Sequence, residues 1–347
     1  MQHLVYFDEL AQAALLQSLE NKGYSKVFVL VDTNTRTHCL PILKNMIKAV
    51  DSSVIEIKAG EEHKNLDSCK AVWDTLSTEG GDRQSLLINL GGGVVTDLGG
   101  FVASTFKRGI DFINVPTTLL AMVDAAIGGK TGVDFQSLKN QIGVINQPEL
   151  IAVFPEFLNT LEKRQIKSGF AEMLKHGLIS DFDYWQELKA LKNLDTIGDK
   201  IQKSVEIKSH VVHEDVDEKG LRKILNFGHT LGHAIESHFL IAQDKSVLLH
   251  GEAIAVGMVL EAYLSHKLSG LSKIELDEIK RAIDHIYPKV QFNNEDITSC
   301  IDLLKHDKKN THGDVNFVLL KTIGKAVIDI KVPSSLFEEA FQYYSLP

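Results

Sequence analysis

The stretch that decides the fold is SLLINLGGGVVTDLGG, residues 85–100. It opens with an apolar run of strand length, three glycines follow at once, and a helical pattern begins behind them. Glycines at such a turn let the backbone approach a diphosphate closely, and the free N–H groups of the helix N-terminus can bind it. The loop departs from the strict GxGxxG fingerprint because Thr96 stands at the third glycine. It therefore predicts a nucleotide-binding turn that differs from the standard arrangement.

The chain around this stretch changes character at its middle. Strand-like runs at 27–31 and 54–57 alternate with helix-length segments, which is typical of a parallel sheet covered by helices. The second half consists of long helical segments, with a short hairpin predicted around Gly324. We therefore predict a Rossmann-like α/β N-terminal domain, residues 1–153, and a mostly α-helical, metal-binding C-terminal domain, residues 154–347.

The composition bounds the class of protein. The 347 residues carry 37 Lys+Arg against 46 Asp+Glu, a formal net charge of −9, which argues against nucleic-acid binding because phosphate-facing domains are usually basic. Two domains are expected, since single cores stop growing at about 250–300 residues. The three cysteines, Cys39, Cys69 and Cys300, fit neither a disulfide framework nor a thiolate metal site. With no signal peptide and no apolar run of about 18 residues, we expect a cytoplasmic protein without a membrane partner.

The segments after the glycine loop carry groups that bind phosphates and sugars. Residues 115–121 read VPTTLLA, residues 128–132 read GGKTG, and Lys139 and Asn140 come next. Paired threonine hydroxyls, and a lysine in a glycine-rich turn, hydrogen-bond anionic and hydroxylated ligands. GGKT resembles the end of a P-loop, but Asp124 occupies the position of the first glycine and would repel phosphate. The pattern favours an anionic ligand and argues against nucleotide hydrolysis.

The helical half contains residues with the spacing of metal ligands. His229 and His233 lie one helical turn apart in NFGHTLGHAIE, and His250 opens another predicted helix. Glu172 lies among apolar residues, where a carboxylate needs a partner. Imidazole and carboxylate ligands with an open position are typical of catalytic zinc. Spacing alone does not decide between His229 and His233. Three further histidines could take part: His210, His213 and His238.

Nine motifs run along most of the chain. They are GGGVVTDLGGF at 91–101, RG at 108–109, VPTTLLA at 115–121, GGKTGV at 128–133, KN at 139–140, AEMLKHG at 171–177, EIK at 206–208, LRKILNFGHTLGHAIE at 221–236 and HGEAIAVGM at 250–258. Each is weak alone, but together they are specific. On these motifs the chain resembles the 3-dehydroquinate synthases of the shikimate pathway, a family of the sugar-phosphate cyclases.

The resemblance implies a reaction, its cofactors and an assembly. The reaction is conversion of 3-deoxy-D-arabino-heptulosonate 7-phosphate (DAHP) into 3-dehydroquinate and phosphate, the second step of chorismate and aromatic amino acid biosynthesis. The enzyme would be a carbon–oxygen lyase in which NAD is reduced and reoxidised within one turnover. Zn²⁺ or Co²⁺ would polarise the alcohol that is oxidised. The resemblance also implies a small anionic sugar-phosphate substrate and a homodimer.

The resemblance assigns roles residue by residue. Glu172, His229 and His250 are implied to bind the metal, with His233 facing the substrate. The residues implied to contact NAD are Asp32, Glu61, Lys64, Gly92, Gly93, Asp97, Thr117, Thr118, Lys130, Lys139 and Thr160. Those implied to line the substrate site are Asp124, Lys130, Lys139, Asn140, Lys175, Lys208, Arg222, His233 and Lys308. Arg108 is implied to reach the site of the neighbouring subunit.

Three alternatives are open on the sequence. A sister cyclase acting on sedoheptulose 7-phosphate or glucose 6-phosphate ranks second. The dehydroquinate branch, whose substrate carries a carboxylate that needs cationic partners, is matched at Asn140, Lys208, Arg222 and His233. A metal-dependent polyol dehydrogenase would share both halves but typically uses Asp where this chain has Glu172. A non-catalytic NAD- or metal-sensing protein leaves the lysines unexplained. The chain departs from the usual family pattern at Thr96, His63 and Glu162.

Overall fold

Two compact units make up the chain. The computed structural model describes residues 4–136, 138–242, 245–304 and 315–347. Unit 1 comprises Met1–Glu162 and unit 2 comprises Lys163–Pro347. The division falls nine residues after the boundary predicted at residue 153. The difference arises because the 3₁₀ helix Pro155–Thr160 belongs to unit 1, where Phe157 is fully buried and its ring lies 5.9 Å from that of Phe154.

Unit 1 is built around a parallel sheet, as predicted. Its strands are β1 (Val5–Phe7), β2 (Val27–Asp32), β3 (Ser53–Ile57), β4 (Leu86–Gly91), β5 (Asp111–Pro116), β6 (Lys130–Phe135), β7 (Leu138–Ile145) and β8 (Ile151–Val153). Six of them form the sheet in the order β1-β8-β5-β4-β2-β3, with every pair parallel. The central strand β4 is buried at every position, because helices cover both faces of such a sheet. The other two strands, β6 and β7, pair as an antiparallel hairpin.

Five α-helices of unit 1 accompany the sheet. They are α1 (Asp8–Lys22), α2 (Thr33–His38), α3 (Leu40–Met46), α4 (Leu66–Thr78) and α5 (Gly93–Thr105). Two glycines of the motif let α5 lie close to its neighbours. A Cβ at Gly99 would stand 1.9 Å from Asn89 Oδ1, and one at Gly100 would stand 2.4 Å from Thr131 Cγ2. These two positions therefore require glycine for packing.

Unit 2 is mostly helical, as predicted. Its helices are α6 (Lys163–Ser180), α7 (Phe182–Lys189), α8 (Gly198–Glu214), α9 (His229–Ile241), α10 (His250–Leu268), α11 (Lys273–Ile286), α12 (Asn294–Leu304) and α13 (Ser335–Ser345). The predicted hairpin consists of β9 (Asn316–Thr322) and β10 (Lys325–Lys331), with Gly324 at φ +85° in its turn. None of the described helices combines the length and apolar character that a membrane crossing requires.

Glycines also set the spacing of three helices in unit 2. A Cβ at Gly257 of α10 would stand 2.0 Å from the carbonyl oxygen of Gly228, directly before α9. A Cβ at Gly251 of α10 would stand 1.9 Å from the carbonyl oxygen of Ser168 on α6. Only glycine permits backbones to approach this closely. These contacts hold together α6, α9 and α10, the helices that carry Glu172, His229 and His250.

Candidate functional site

The carboxyl ends of three neighbouring strands form a candidate binding site within unit 1. β2 ends at Asp32, β4 at Gly91 and β5 at Pro116, and these strands are adjacent in the sheet. From β2 the chain continues to β3, its neighbour towards one edge of the sheet, and from β4 it continues to β5, its neighbour towards the opposite edge. Such a reversal opens a crevice at the carboxyl edge, where α/β proteins bind nucleotides. The glycine loop lies at this crevice.

The glycine loop presents the N-terminus of α5. Gly92 is the N-cap of this helix, and a Cβ there would stand 2.9 Å from Thr118 Cγ2. The first N–H groups of the helix have no partner within it and are suited to a diphosphate. Thr96 is buried, and its hydroxyl lies 3.3 and 3.2 Å from the carbonyl oxygens of Gly92 and Gly93, to which it donates. The threonine at the third-glycine position therefore bonds within the first turn of α5.

Asp32 caps helix α2. Its Oδ1 accepts the N–H groups of Asn34 and Thr35 at 2.9 and 2.7 Å, and the Asp32 N–H donates to the Thr35 hydroxyl. Both side-chain bonds use Oδ1, so Oδ2 is the oxygen that would bind a ribose hydroxyl. A role for Asp32 in binding NAD stays a prediction that this geometry allows.

Five predicted site residues form one cluster, with the buried ammonium of Lys64 at its centre. Its Nζ donates to Asp97 Oδ2 at 2.6 Å and to Asn140 Oδ1 at 2.7 Å. Glu61 Oε1 lies 3.9 Å from Lys64 Nζ and 3.8 Å from Lys139 Nζ. Burial alone lowers the pKa of an ammonium, but Asp97 and Glu61 outweigh it and raise the pKa of Lys64 above its ordinary value. The structure thus joins residues assigned to NAD with residues assigned to the substrate.

Asp134 holds this cluster in place and was not predicted. Asn140 has a left-handed backbone with φ +51°, and its N–H donates to Asp134 Oδ1 at 2.7 Å. The Asp134 N–H in turn donates to the carbonyl oxygen of Lys64 at 2.9 Å. Burial raises the pKa of the Asp134 carboxyl. The sequence offered no sign of this role, because it depends on the register of the β6–β7 hairpin.

Two of the predicted threonines meet at a cysteine. Burial raises the pKa of the Cys39 thiol to about 11, and the side chains of Thr117 and Thr160 oppose this shift without cancelling it. The thiol is therefore neutral at pH 7.

Three further predicted residues belong to unit 1. Asp124 lies in a single π-helical turn, Ala121–Ala125, and Lys130 is the exposed first residue of β6 rather than part of a turn. Arg108 is exposed and follows Lys107, and both have left-handed backbones, with φ +72° and +49°. Strain of this kind costs about 1–3 kcal/mol per residue and is commonest at functional positions. The strained backbone therefore marks Arg108 as a candidate for a functional position.

Three predicted metal ligands of unit 2 converge on one point. Glu172 is fully buried on α6, and its Oε1 lies 3.5 Å from Nε2 of His229 and 3.5 Å from Nε2 of His250. These histidines are the first residues of α9 and α10. Oε1 has no hydrogen-bond partner among the described residues, whereas Oε2 accepts from Nζ of Lys175. A buried carboxylate oxygen in this position requires another partner.

The distances between these three ligand atoms fit a metal ion. Zn²⁺ binds imidazole nitrogen and carboxylate oxygen at about 2.0–2.2 Å, so two ligand atoms of a tetrahedral site lie about 3.4 Å apart. The Oε1 to Nε2 distances are both 3.5 Å. Three such ligands leave one tetrahedral position open, as catalytic sites require. The donor set therefore fits a divalent cation.

Each of the two histidines is oriented through its other ring nitrogen. His229 Nδ1 lies 3.1 Å from the carbonyl oxygen of Phe227, and His250 Nδ1 lies 3.3 Å from Glu236 Oε2. Both acceptors require an N–H on Nδ1, so Nε2, directed towards Glu172, is the nitrogen that would bind a metal. This is the usual way in which a protein fixes a metal-binding imidazole.

The charges around this point favour a cation. Burial and the ammonium of Lys175 lower the pKa of His229, so it is neutral, as a ligand must be. Burial raises the pKa of Glu172, but the positive charges of Lys175 and His250 outweigh it and hold this pKa well below its usual range. Burial also lowers the pKa of His250, yet the carboxylates of Glu172 and Glu236 raise it to about 10. The two carboxylates thus attract positive charge to this point, which a divalent cation would supply.

His233 lies beside the two histidines. Its ring centroid is 5.1 Å from that of His229 and 5.7 Å from that of His250. One nitrogen from each of the three rings lies within 4.8 Å of the others, so a three-histidine set is also compatible with a metal. His233 is exposed whereas Glu172 is fully buried. This difference suits the prediction that His233 faces a ligand, and that role stays a prediction.

The remaining predicted residues of unit 2 differ in how they are held. Lys208 on α8 and Arg222 are both buried, at 6% and 2% exposure. The Arg222 guanidinium donates to the carbonyl oxygen of Val216 at 2.7 Å. Asp215 accepts the backbone N–H groups of Gly220 and Arg222 at 2.7 and 3.0 Å, which fixes the turn that presents the arginine. Lys308 lies outside the described residues.

A buried carboxylate at the start of α9 had no predicted role. Glu261 of α10 is fully buried and accepts the N–H groups of Gly228 and Leu231 at 2.6 and 3.0 Å. The signal in the sequence is a lone acidic residue within the apolar run AIAVGMVLEAYL, residues 253–264. Such a residue needs a partner, as Glu172 does, but Glu261 bonds to two backbone N–H groups, which the sequence does not reveal.

Comparison with known protein families gives matches to both halves. The family model described as 3-dehydroquinate synthase N-terminal matches residues 54–168, and the one described as 3-dehydroquinate synthase C-terminal matches residues 169–310. A 3-dehydroquinate synthase of Parabacteroides distasonis is 42% identical over 338 residues, covering 96% of this chain and 95% of that protein. One of Campylobacter jejuni subsp. doylei is 38% identical, covering 94% and 95%.

Solved structures of related proteins confirm the fold class. A 2-epi-5-epi-valiolone synthase from Streptomyces hygroscopicus subsp. jinggangensis, with NAD⁺ and Zn²⁺ bound, is 26% identical with a TM-score of 0.79, covering 98% of this chain and 96% of that one. A 2-deoxy-scyllo-inosose synthase complexed with carbaglucose-6-phosphate, NAD⁺ and Co²⁺ has a TM-score of 0.82 at 24% identity with the same coverage. An iron-containing alcohol dehydrogenase shares the fold at a TM-score of 0.61 and 15% identity, covering 98% and 96%.

Proposed function

This chain belongs to the 3-dehydroquinate synthase family, and we propose that it converts DAHP into 3-dehydroquinate and phosphate. The observation that supports this most strongly is the full-length match to relatives of that name, in a chain whose Glu172, His229 and His250 converge on one point. As a phosphate-eliminating enzyme it is a carbon–oxygen lyase. The location proposed for it is the cytoplasm, which the three free, buried cysteines suit.

The residues that would hold the metal are Glu172, His229 and His250. A bound Zn²⁺ or Co²⁺ supplies a Lewis acid that lowers the pKa of an alcohol bound to it. Glu172 is held ionised by its bond to Nζ of Lys175, and both histidines donate an N–H from Nδ1. A metal bound at Nε2 of His250 would replace the second proton of that ring, so the side chains would offer one anionic and two neutral ligand atoms.

The residues that would hold NAD lie along the carboxyl edge of the unit 1 sheet. NAD supplies a hydride acceptor and donor when bound. The N–H groups at the start of α5, next to Gly92, would bind its diphosphate, and Asp32 Oδ2 would accept from a ribose hydroxyl. The others proposed to contact it are Glu61, Lys64, Gly93, Asp97, Thr117, Thr118, Lys130, Lys139 and Thr160.

The substrate carries a carboxylate and a phosphate, which cationic and amide side chains would bind. Those proposed in unit 1 are Lys130, Lys139 and Asn140, with Asp124 accepting from a hydroxyl group. Those proposed in unit 2 are Lys175, Lys208 and Arg222, of which the last is oriented by Asp215. His233 would move the proton of the reacting alcohol through a ring nitrogen, since imidazole titrates near neutral pH. Lys308 keeps its predicted role in substrate binding.

The active enzyme is proposed to be a homodimer in which Arg108 contributes to the neighbouring subunit. The exposed position of this arginine and its strained backbone support a role outside its own unit. A C₂ pair would use each arginine once, because such an interface is self-complementary.

The decisive experiment measures phosphate release from DAHP with NAD at a catalytic concentration. We expect phosphate and 3-dehydroquinate in equal amounts, with no net rise in NADH absorbance. NADH that accumulates in proportion to product would contradict the proposal and favour the polyol dehydrogenase. Sedoheptulose 7-phosphate and glucose 6-phosphate serve as matched substrates without the carboxylate. Faster phosphate release from either one would favour a sister cyclase.

A further inference from the structure

Glu261 is a fully buried carboxylate that the proposed reaction does not use. Its Oε2 accepts the Gly228 N–H at 2.6 Å and its Oε1 accepts the Leu231 N–H at 3.0 Å. Burying an ionised carboxylate is costly unless strong hydrogen bonds compensate. These two donors belong to the N-terminus of α9, where the backbone N–H groups lack partners within the helix.

The position of Glu261 links the two histidine ligands. It lies on α10, the helix that begins with His250, and about three turns further along. The N–H groups that it binds flank His229, the first residue of α9. Gly257, one turn before Glu261 on α10, provides the close contact with the Gly228 carbonyl. One side chain of the helix carrying His250 therefore fixes the start of the helix carrying His229.

The charge of Glu261 also bears on a bound cation. The N-terminus of a helix carries about half a positive charge from its aligned peptide dipoles. A cation held by His229 would lie at this positive end of α9. An ionised carboxylate on the first N–H groups compensates that charge within a buried environment.

We propose that Glu261 is a positioning residue for the metal site, which fixes His229 relative to His250 and offsets the positive end of α9. The inference rests on the proposed function only through the assignment of a divalent metal to Glu172, His229 and His250. Glu261 does not touch the metal, so its removal should weaken metal binding without abolishing the ligand set.

The test uses Co²⁺ binding to the full chain without NAD or substrate. Affinity is measured by competition with a chelator, and the visible absorption of bound Co²⁺ reports its ligand geometry. Glu261→Gln removes the charge at constant size, and Glu261→Asp keeps the charge on a shorter side chain. Glu275→Gln is the matched control, because Glu275 also accepts backbone N–H groups, from Ser272 and Ile323, but on α11.

We expect Glu261→Gln to bind Co²⁺ about 10-fold to 100-fold more weakly, the usual effect of removing a group that orients a ligand. Its Co²⁺ absorption should change, while Glu275→Gln should match the wild type in both measurements. Glu261→Asp should recover part of the affinity, and it decides the question if Glu261→Gln does not fold. Folded Glu261 variants with wild-type affinity and absorption would overturn the proposal.

The same measurement separates this inference from the proposed function. Co²⁺ bound with equal affinity by wild type and Glu261→Gln would sink the positioning role and leave the metal site intact. A wild-type chain that binds no Co²⁺ would overturn the metal site and this inference together. Loss of stability without loss of affinity in the folded fraction would reduce Glu261 to a structural residue.

Discussion

Glu172 is the residue on which the proposed metal site depends. Glu172→Gln keeps the size of the side chain but replaces the anionic oxygen that lies 3.5 Å from both imidazoles. We expect metal affinity to fall by more than about 100-fold, since loss of a ligand should exceed the effect of an outer residue. Activity should fall with it, and His250→Ala should behave in the same way. Elemental analysis after desalting measures the metal content.

The control for this prediction is Glu278→Gln. Glu278 also accepts from a lysine ammonium, but it is only partly buried and lies on α11, where it accepts from Lys189 Nζ and Trp185 Nε1, both at 2.7 Å. It should keep its metal. Full metal occupancy in both Glu172→Gln and His250→Ala would refute the ligand assignment.

The role of a residue could be predicted where the sequence itself carries a signal for that role. Ligand spacing predicted a metal among the histidines, but only the family resemblance separated His229 from His233. Asp134 and Glu261 were missed because their partners are backbone N–H groups. The sequence does not reveal which backbone groups a fold leaves without partners, so such residues emerge only from the structure.

Thr96 is predicted to affect stability rather than the cofactor. Its hydroxyl bonds within the first turn of α5, and its side chain is buried. Thr96→Gly would restore the usual loop sequence but lose about 1–2 kcal/mol of unfolding free energy, through helix propensity and lost burial. We expect NAD affinity to stay within about threefold, as isothermal titration would show. A large gain in NAD affinity would mean that Thr96 obstructs the cofactor.

At the scale of elements, the crossing of α9 and α10 depends on Gly257. Alanine is the better helix former by about 1 kcal/mol, so Gly257→Ala would stabilise an unpacked helix. Here its Cβ would stand 2.0 Å from the Gly228 carbonyl oxygen, and the helices must separate. We expect a loss of about 1–3 kcal/mol in chemical unfolding, together with weaker metal binding. A gain in stability would show that the two helices are not held this closely.

Glu275 gives the end of the β9–β10 hairpin a pH-dependent attachment to α11. Burial raises the pKa of this carboxyl, but hydrogen bonds from Thr322, Ser272 and Ile323 outweigh it and lower the pKa. Because the folded pKa lies below the unfolded value of about 4.3, the ionised carboxylate stabilises the folded protein above pH 4.3. This stabilisation is lost as the pH falls through the folded pKa. We expect Glu275→Gln to lose about 1 kcal/mol at pH 7 relative to the wild type.

This difference should shrink as the pH falls below about 4.3, because the carboxyl of the unfolded wild type then takes up a proton and that of the folded protein follows at its lower pKa. Urea unfolding at pH 7 and at pH 3.5 measures it. An equal difference at both pH values would mean that the charge of Glu275 contributes nothing.

Helices and strands were predictable where a regular pattern of apolar residues extended over many positions. The buried run of β4 and the long apolar helices of unit 2 each left a clear period in the sequence. The β6–β7 hairpin was missed because the glycines at 128–132 indicate a turn, whereas Lys130 begins a strand. β1 and β8 have only three residues each and carry no period of their own.

At the scale of the whole molecule, the role proposed for Arg108 predicts complementation between subunits. Arg108→Ala and Lys175→Ala should each be inactive alone. Mixed under conditions of subunit exchange, they should regain activity, since one site of each mixed dimer would have its own Lys175 and the partner's arginine. Sedimentation analysis confirms that mixed dimers form. Mixed dimers without activity would contradict a role for Arg108 across subunits.

The pairing of β1 with β8 has a consequence for synthesis of the chain. Val5 pairs with Ile151, and β8 separates β1 from β5 in the sheet. At ribosomal rates of about 5–20 residues per second, β8 is synthesised on the order of ten seconds after β1. During that time β1 has no strand to pair with and one edge of the nascent sheet is open. A chaperone can therefore still bind this first segment of the chain.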